Sequence, residues 1–146
     1  MNAVTPRMTG ELVTTASPVW RPRALAIGAA TVVNLAIVIV GRAVSGDYPV
    51  AETAGGGEMT IGPAMVTGAT LALGLLAWGL LALLERRTDR HRAARIWTGI
   101  AVGVLALSLL GPLGGVDGAS QLTLACLHLA GGVTIIPRMR RSAVVD

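Results

Sequence analysis

At 146 residues the chain has room for one compact domain, and 53% hydrophobic against 14% charged residues, with a mean hydropathy of +0.67, exclude an ordinary soluble or disordered chain. A net charge of +4 and a pI near 11 would point to nucleic acid if the basic residues formed a soluble face. All twelve are arginines placed at the ends of apolar runs, so the expected partner is the lipid bilayer, with no nucleic acid. The single Cys126 excludes an internal disulfide, CxxC redox chemistry and a Cys-based zinc site.

Residues 1–22 mix Thr, Ser, Pro and arginine without apolar periodicity and read as a disordered tail, with Trp20 at headgroup level. A transmembrane domain follows over 23–137. An α-helix rises about 1.5 Å per residue, so a hydrocarbon core of about 30 Å needs roughly 20 residues. Four runs qualify, at 24–43, 62–84, 96–113 and 119–136. The first exceeds the usual apolar length of a signal peptide, so it reads as a spanning helix rather than a segment cleaved near Ala43-Val44-Ser45. Between the first two runs, Val50-Ala51-Glu52-Thr53 and Glu58-Met59-Thr60-Ile61 flank Gly55-Gly56-Gly57, which predicts a short β-hairpin with a glycine turn. Gly62-Pro63 opens the second span, since a proline in the first turn loses no helical bond. Trp97 marks re-entry into the bilayer after the second span. Gly111-Pro112 stops the third span, and Pro137 is expected to end the fourth, leaving residues 138–146 as a C-terminal tail. The fold class is therefore all-α, an integral membrane four-helix bundle with a hairpin in the first external loop.

The stretch ERRTDRHRAAR, residues 85–95, carries five arginines between the second and third spans. With four spans, the tail, this loop and the C-terminus share one side, and eleven of the twelve arginines fall there. Arginine excess marks the cytoplasmic face, so both termini are expected inside the inner (cytoplasmic) membrane of a bacterial cell. Asp47, Glu52, Glu58 and Asp117 fall outside. Arg86, Arg87, Arg90, Arg92 and Arg95 are candidate contacts for anionic lipid, each worth about 1 kcal/mol near the surface.

Lipid tails are as apolar as leucine, so helix association in the membrane rests on close packing and interhelical hydrogen bonds. Gly99 and Gly103 form a GxxxG in the third span and are candidate packing residues, within the bundle or along a homo-oligomer seam. Asn34, Ser108, Gln121 and His128 are the candidate intramembrane polar cluster. His128, near the middle of the fourth span, is a functional hypothesis by default. No Asp or Glu lies inside a span to trade charge with it, so it is expected to be a neutral imidazole bonded to Asn34 or Ser108 as interhelical glue. Gln121, one heptad earlier, is expected to share its face. No catalytic, cofactor or metal residues are expected: the glycine run lacks the ending of a phosphate loop, and the outer carboxylates match no calcium-loop spacing.

Residues 57–66 (GEMTIGPAMV), 78–87 (WGLLALLERR), 105–113 (LALSLLGPL) and 126–129 (CLHL) together give the chain a resemblance. It resembles small four-span membrane proteins of GC-rich Gram-positive bacteria that form a domain-of-unknown-function family, over roughly residues 22–140. That resemblance implies fold and location and carries no activity. The expected role is structural, regulatory or that of an accessory subunit, rather than an enzyme, with a membrane-protein partner or a second copy as further contact. The alternative is a small transporter or permease component, although small multidrug transporters rely on a carboxylate within a span and this chain has none.

Overall fold

The computed structural model describes residues 19–53 and 55–144. Four long helices run up and down: α1 Trp20–Ser45, α2 Pro63–Arg87, α3 Arg90–Ser108 and α4 Gly118–Val144, with a 3-10 turn at Gly111–Gly114. Strands β1 Val50–Glu52 and β2 Glu58–Thr60 pair antiparallel, Ala51 opposite Met59, and close through a turn in which Gly56 takes φ +79°. All four helices are long and apolar enough to cross a membrane. Each packs on its neighbours in the chain, and α4 closes the bundle against α1.

Large aliphatic side chains such as Leu76 and Leu107 lie 70% and 73% exposed, while Arg23, Asn34, Thr70, Ser120 and Ser142 are buried. In water that distribution would be costly; against lipid it is the stable one, because the polar groups need partners that only the bundle interior supplies. Two apolar clusters hold the ends. Near the arginine-rich end, Trp97, Leu81, Met139 and Ile27 pack together; near the hairpin end, Val38, Ile61, Val66, Leu124 and Leu127 do so. Two glycines set close approaches: a Cβ at Gly74 would lie 2.9 Å from Ile27 Cγ2, and one at Gly132 2.5 Å from Leu105 Cδ2.

The structure moves several expected boundaries. Residues 1–18 lie outside those described, but Trp20, Arg21 and Pro22, expected in the tail, already belong to α1. α3 begins at Arg90 rather than 96, because the Asp89 side chain accepts from the Arg92 amide and caps a helix inside the arginine stretch. It ends at Ser108, short of 113, where the 3-10 turn takes over. Pro137 does not end α4, which continues to Val144. The proline removes one backbone bond, but Met139, Ser142 and Ala143 beyond it are buried against the bundle and hold the last turns in place. Trp97, expected at the start of the third span, lies 1% exposed inside the bundle, and its indole Nε1 donates to the Ala77 carbonyl at 2.8 Å, tying α3 to α2.

Candidate functional site

The interior polar groups lie at three levels. At the arginine-rich end, Arg23 is 3% exposed, Nη2 donating to Glu85 Oε1 at 2.5 Å and Nε to Ser142 Oγ at 3.1 Å. Ser142 Oγ in turn donates to the Met139 carbonyl, so one guanidinium joins α1, α2 and α4. A buried charge persists only when paired and hydrogen-bonded, and Arg23 meets both conditions. The sequence carries a signal for this pair: residue 23 sits one position before the first span and residue 85 one after the second.

At the opposite end the loops fasten to one another. The Val50 amide donates to Ser120 Oγ at 3.0 Å, and the Val116 amide donates to the Val50 carbonyl at 3.1 Å. Asp117 accepts from the Ser120 amide at 2.8 Å and from its hydroxyl at 3.0 Å. These bonds favour the carboxylate and hold the Asp117 pKa below its usual 3.8.

Between the ends lies a cavity of about 510 Å³ walled by α2, α3 and α4, with Asn34 reaching it from α1. Its walls are apolar apart from four polar residues, Asn34, Thr70, Ser108 and His128; among the described residues no Asp, Glu or Arg lines it. Leu76 of α2 and Val104 of α3 line it and are 70% and 60% exposed. The cavity therefore opens sideways, between α2 and α3.

Three of the four residues expected to cluster, Asn34, Ser108 and His128, line this cavity. They do not bond to one another. Asn34 Nδ2 donates instead to Thr70 Oγ1 at 3.1 Å, Ser108 Oγ to the Leu105 carbonyl at 2.8 Å, and His128 Nδ1 lies 2.8 Å from the Leu124 carbonyl. A carbonyl can only accept, so Nδ1 carries the proton in that bond and, in the neutral ring, Nε2 is left as an acceptor. The expected His128 glue is thus replaced by a bond to its own helix, and the interhelical bond is Asn34–Thr70. Thr70 was legible: Asn34 lies nine residues before the end of the first predicted span and Thr70 eight after the start of the second, hence at one depth. Gln121 does not join the cluster; it sits exposed at the hairpin end, Nε2 donating to the Gly115 carbonyl.

Asn34 is 7% exposed, and its Oδ1 is the buried side-chain oxygen or nitrogen that lacks a hydrogen-bond partner among the described residues. Gly131 leaves room for that amide: a Cβ there would lie 3.3 Å from Asn34 Nδ2. Among the described residues Gly99 and Gly103 pack against nothing, as both are exposed and a Cβ at either meets no atom within 4 Å. The third helix turns its other face inward, with Ala94 and Trp97 buried, so the seams fall to Gly74 and Gly132 instead. Arg86, Arg87, Arg90, Arg92 and Arg95 all lie exposed. A smaller groove of about 390 Å³ at the same end is lined by Thr98, Arg140 and Arg141 rather than by those five.

Four apolar spans around a laterally open, uncharged cavity define an integral membrane protein of the all-α class. The chain belongs to a family of unknown function, DUF6069, whose family model matches residues 14–145. Neither the curated proteins nor the solved structures contain a match.

Proposed function

We propose that this chain is a non-enzymatic multi-pass protein of the inner (cytoplasmic) membrane, both termini inside, that acts as a regulatory or accessory subunit by taking up a lipophilic molecule from the bilayer. One observation carries it: the cavity of about 510 Å³ between α2 and α3. That volume falls in the range of small-molecule sites, about 300–1,000 Å³. Its walls match a hydrocarbon chain, and its mouth faces the lipid rather than either aqueous side. The orientation rests on the arginines gathered at one end of the bundle.

A photoactivatable alkane added to the purified protein in nanodiscs should label cavity residues such as Leu73 and Val104 in the wild type, and much less in Ala69→Phe, which narrows the cavity. Equal labelling of both proteins would refute uptake. For the orientation, a cysteine at position 88 in a Cys126→Ser background should resist an impermeant thiol reagent applied to intact cells, while one at position 55 reacts. The transporter alternative has His128 on the cavity wall in its favour. Proton-driven uptake into inverted vesicles that is lost in His128→Leu would displace the accessory reading.

A further inference from the structure

We infer that the occupant of the cavity is a neutral long-chain alcohol, held with its hydroxyl against the Asn34 amide and its tail leaving between α2 and α3. The inference rests on the reading of the cavity as a lipophile site and names the chemistry of its ligand. Three observations select that chemistry.

The first is charge. Among the described residues no Asp, Glu or Arg lines the cavity, so a carboxylate or an ammonium head would be desolvated without a counter-charge, which costs far more than any hydrogen bond there returns. The second is the unmet valence. Asn34 is 93% buried, given its 7% exposure, and one amide atom has no partner although the other is bonded to Thr70. A buried polar group left this way is costly, and a pure hydrocarbon guest cannot relieve it. The third is that a hydroxyl both donates and accepts. It completes the amide whichever of its two atoms faces the guest, whereas an ether or a ketone serves one orientation alone. Torsion about χ2 of asparagine is broad, so the amide of this cavity-lining side chain can exchange its two atoms, with Thr70 Oγ1 then donating to Oδ1 and Nδ2 left for the guest. His128 also lines the cavity, with its Nε2 4.0 Å from where a Cβ on Gly111 would lie. Beyond these groups the walls are Leu73, Leu76, Val104 and other aliphatic side chains as far as the lipid-facing mouth.

The test compares guests of one tail length on the full chain in nanodiscs: a long-chain primary alcohol, its methyl ether, the corresponding carboxylate and the alkane. Affinity is read by competition against the photoactivatable alkane. The alcohol is expected to bind about tenfold tighter than the ether, the value of one buried amide bond satisfied rather than left open, with the carboxylate weakest. Asn34→Leu should bind alcohol and ether alike while retaining the alkane. Where Asn34→Leu does not fold, the wild-type comparison decides by itself, and Thr70→Val, which leaves the amide in place, should keep the alcohol preference. Equal affinity for alcohol and ether in the wild type, or an unchanged preference in Asn34→Leu, overturns the inference while the lipophile site stands. Failure of all four guests to compete removes the site as well.

Discussion

Replacing Glu85 with alanine leaves the Arg23 guanidinium in a position that is 3% exposed, with Ser142 as its remaining partner. Removing one member of a fully buried pair costs about 3–5 kcal/mol, because the orphaned charge keeps its desolvation penalty. Two features lower that figure here. The Glu85 side chain is 18% exposed, so the pair is not wholly dry. Arg23 also lies in the first turn of α1, where a long side chain can bend toward the headgroups. The expected loss is therefore about 2–3 kcal/mol. Arg23→Met should cost a similar amount by stranding the carboxylate. The double variant Arg23→Met/Glu85→Leu should lie within about 1 kcal/mol of the wild type, since an apolar pair of similar volume avoids both desolvation terms. The assay is reversible unfolding by SDS in mixed micelles, followed by tryptophan fluorescence, with a double-mutant cycle of Arg23→Met, Glu85→Leu and their combination to extract the coupling. A cycle that is additive within about 0.5 kcal/mol would refute the reasoning, and so would a Glu85→Ala protein as stable as its parent.

The helix seams make a second forecast. Gly74→Val should lose about 1–3 kcal/mol, because its Cβ would press on Ile27, which is buried and β-branched. Gly99→Val and Gly103→Val should stay within about 0.5 kcal/mol of the wild type by the same unfolding assay. For Asp117, the native pKa lies below the usual 3.8, so its contribution to stability is complete above that value and is lost as pH falls through the lower native value. Asp117→Ala should therefore be less stable than the wild type at pH 7, and the gap should close as unfolding is measured below pH 3.8; a gap constant with pH would contradict the assignment.

The four spans and the hairpin were legible because each rests on a local pattern: run length against bilayer thickness, and Val50–Glu52 and Glu58–Thr60 about a glycine turn. The ends of the helices were not, because they depend on side chains that act at a distance or compete with a local signal. Pro137 reads as a stop, yet burial of Met139 and Ala143 outweighs one missing bond. Asp89 reads as one acid among arginines, yet it caps α3. Within the cavity, the residue types Asn34, Ser108 and His128 were visible as unusual for their depth, and all three line it. Their partners were not visible, since the rotation of a helix decides whether a hydroxyl faces a neighbour or its own backbone. Ser108 and His128 both turn to carbonyls of their own helices. The GxxxG pair shows the same dependence: the motif describes a narrow face without saying which way it looks, and here that face points out of the bundle.

The bond from the Val116 amide to the Val50 carbonyl, with the one from the Val50 amide to Ser120 Oγ, makes a clasp between the two halves of the chain. At the far end the guanidinium of Arg23 forms another, spanning the first, second and fourth helices. Parting the helices at either end of the bundle would first require breaking one of these two latches. The side wall between the second and third helices carries a tie of its own, the Trp97 indole on the Ala77 carbonyl, so all three fastenings lie around the cavity and none crosses its middle.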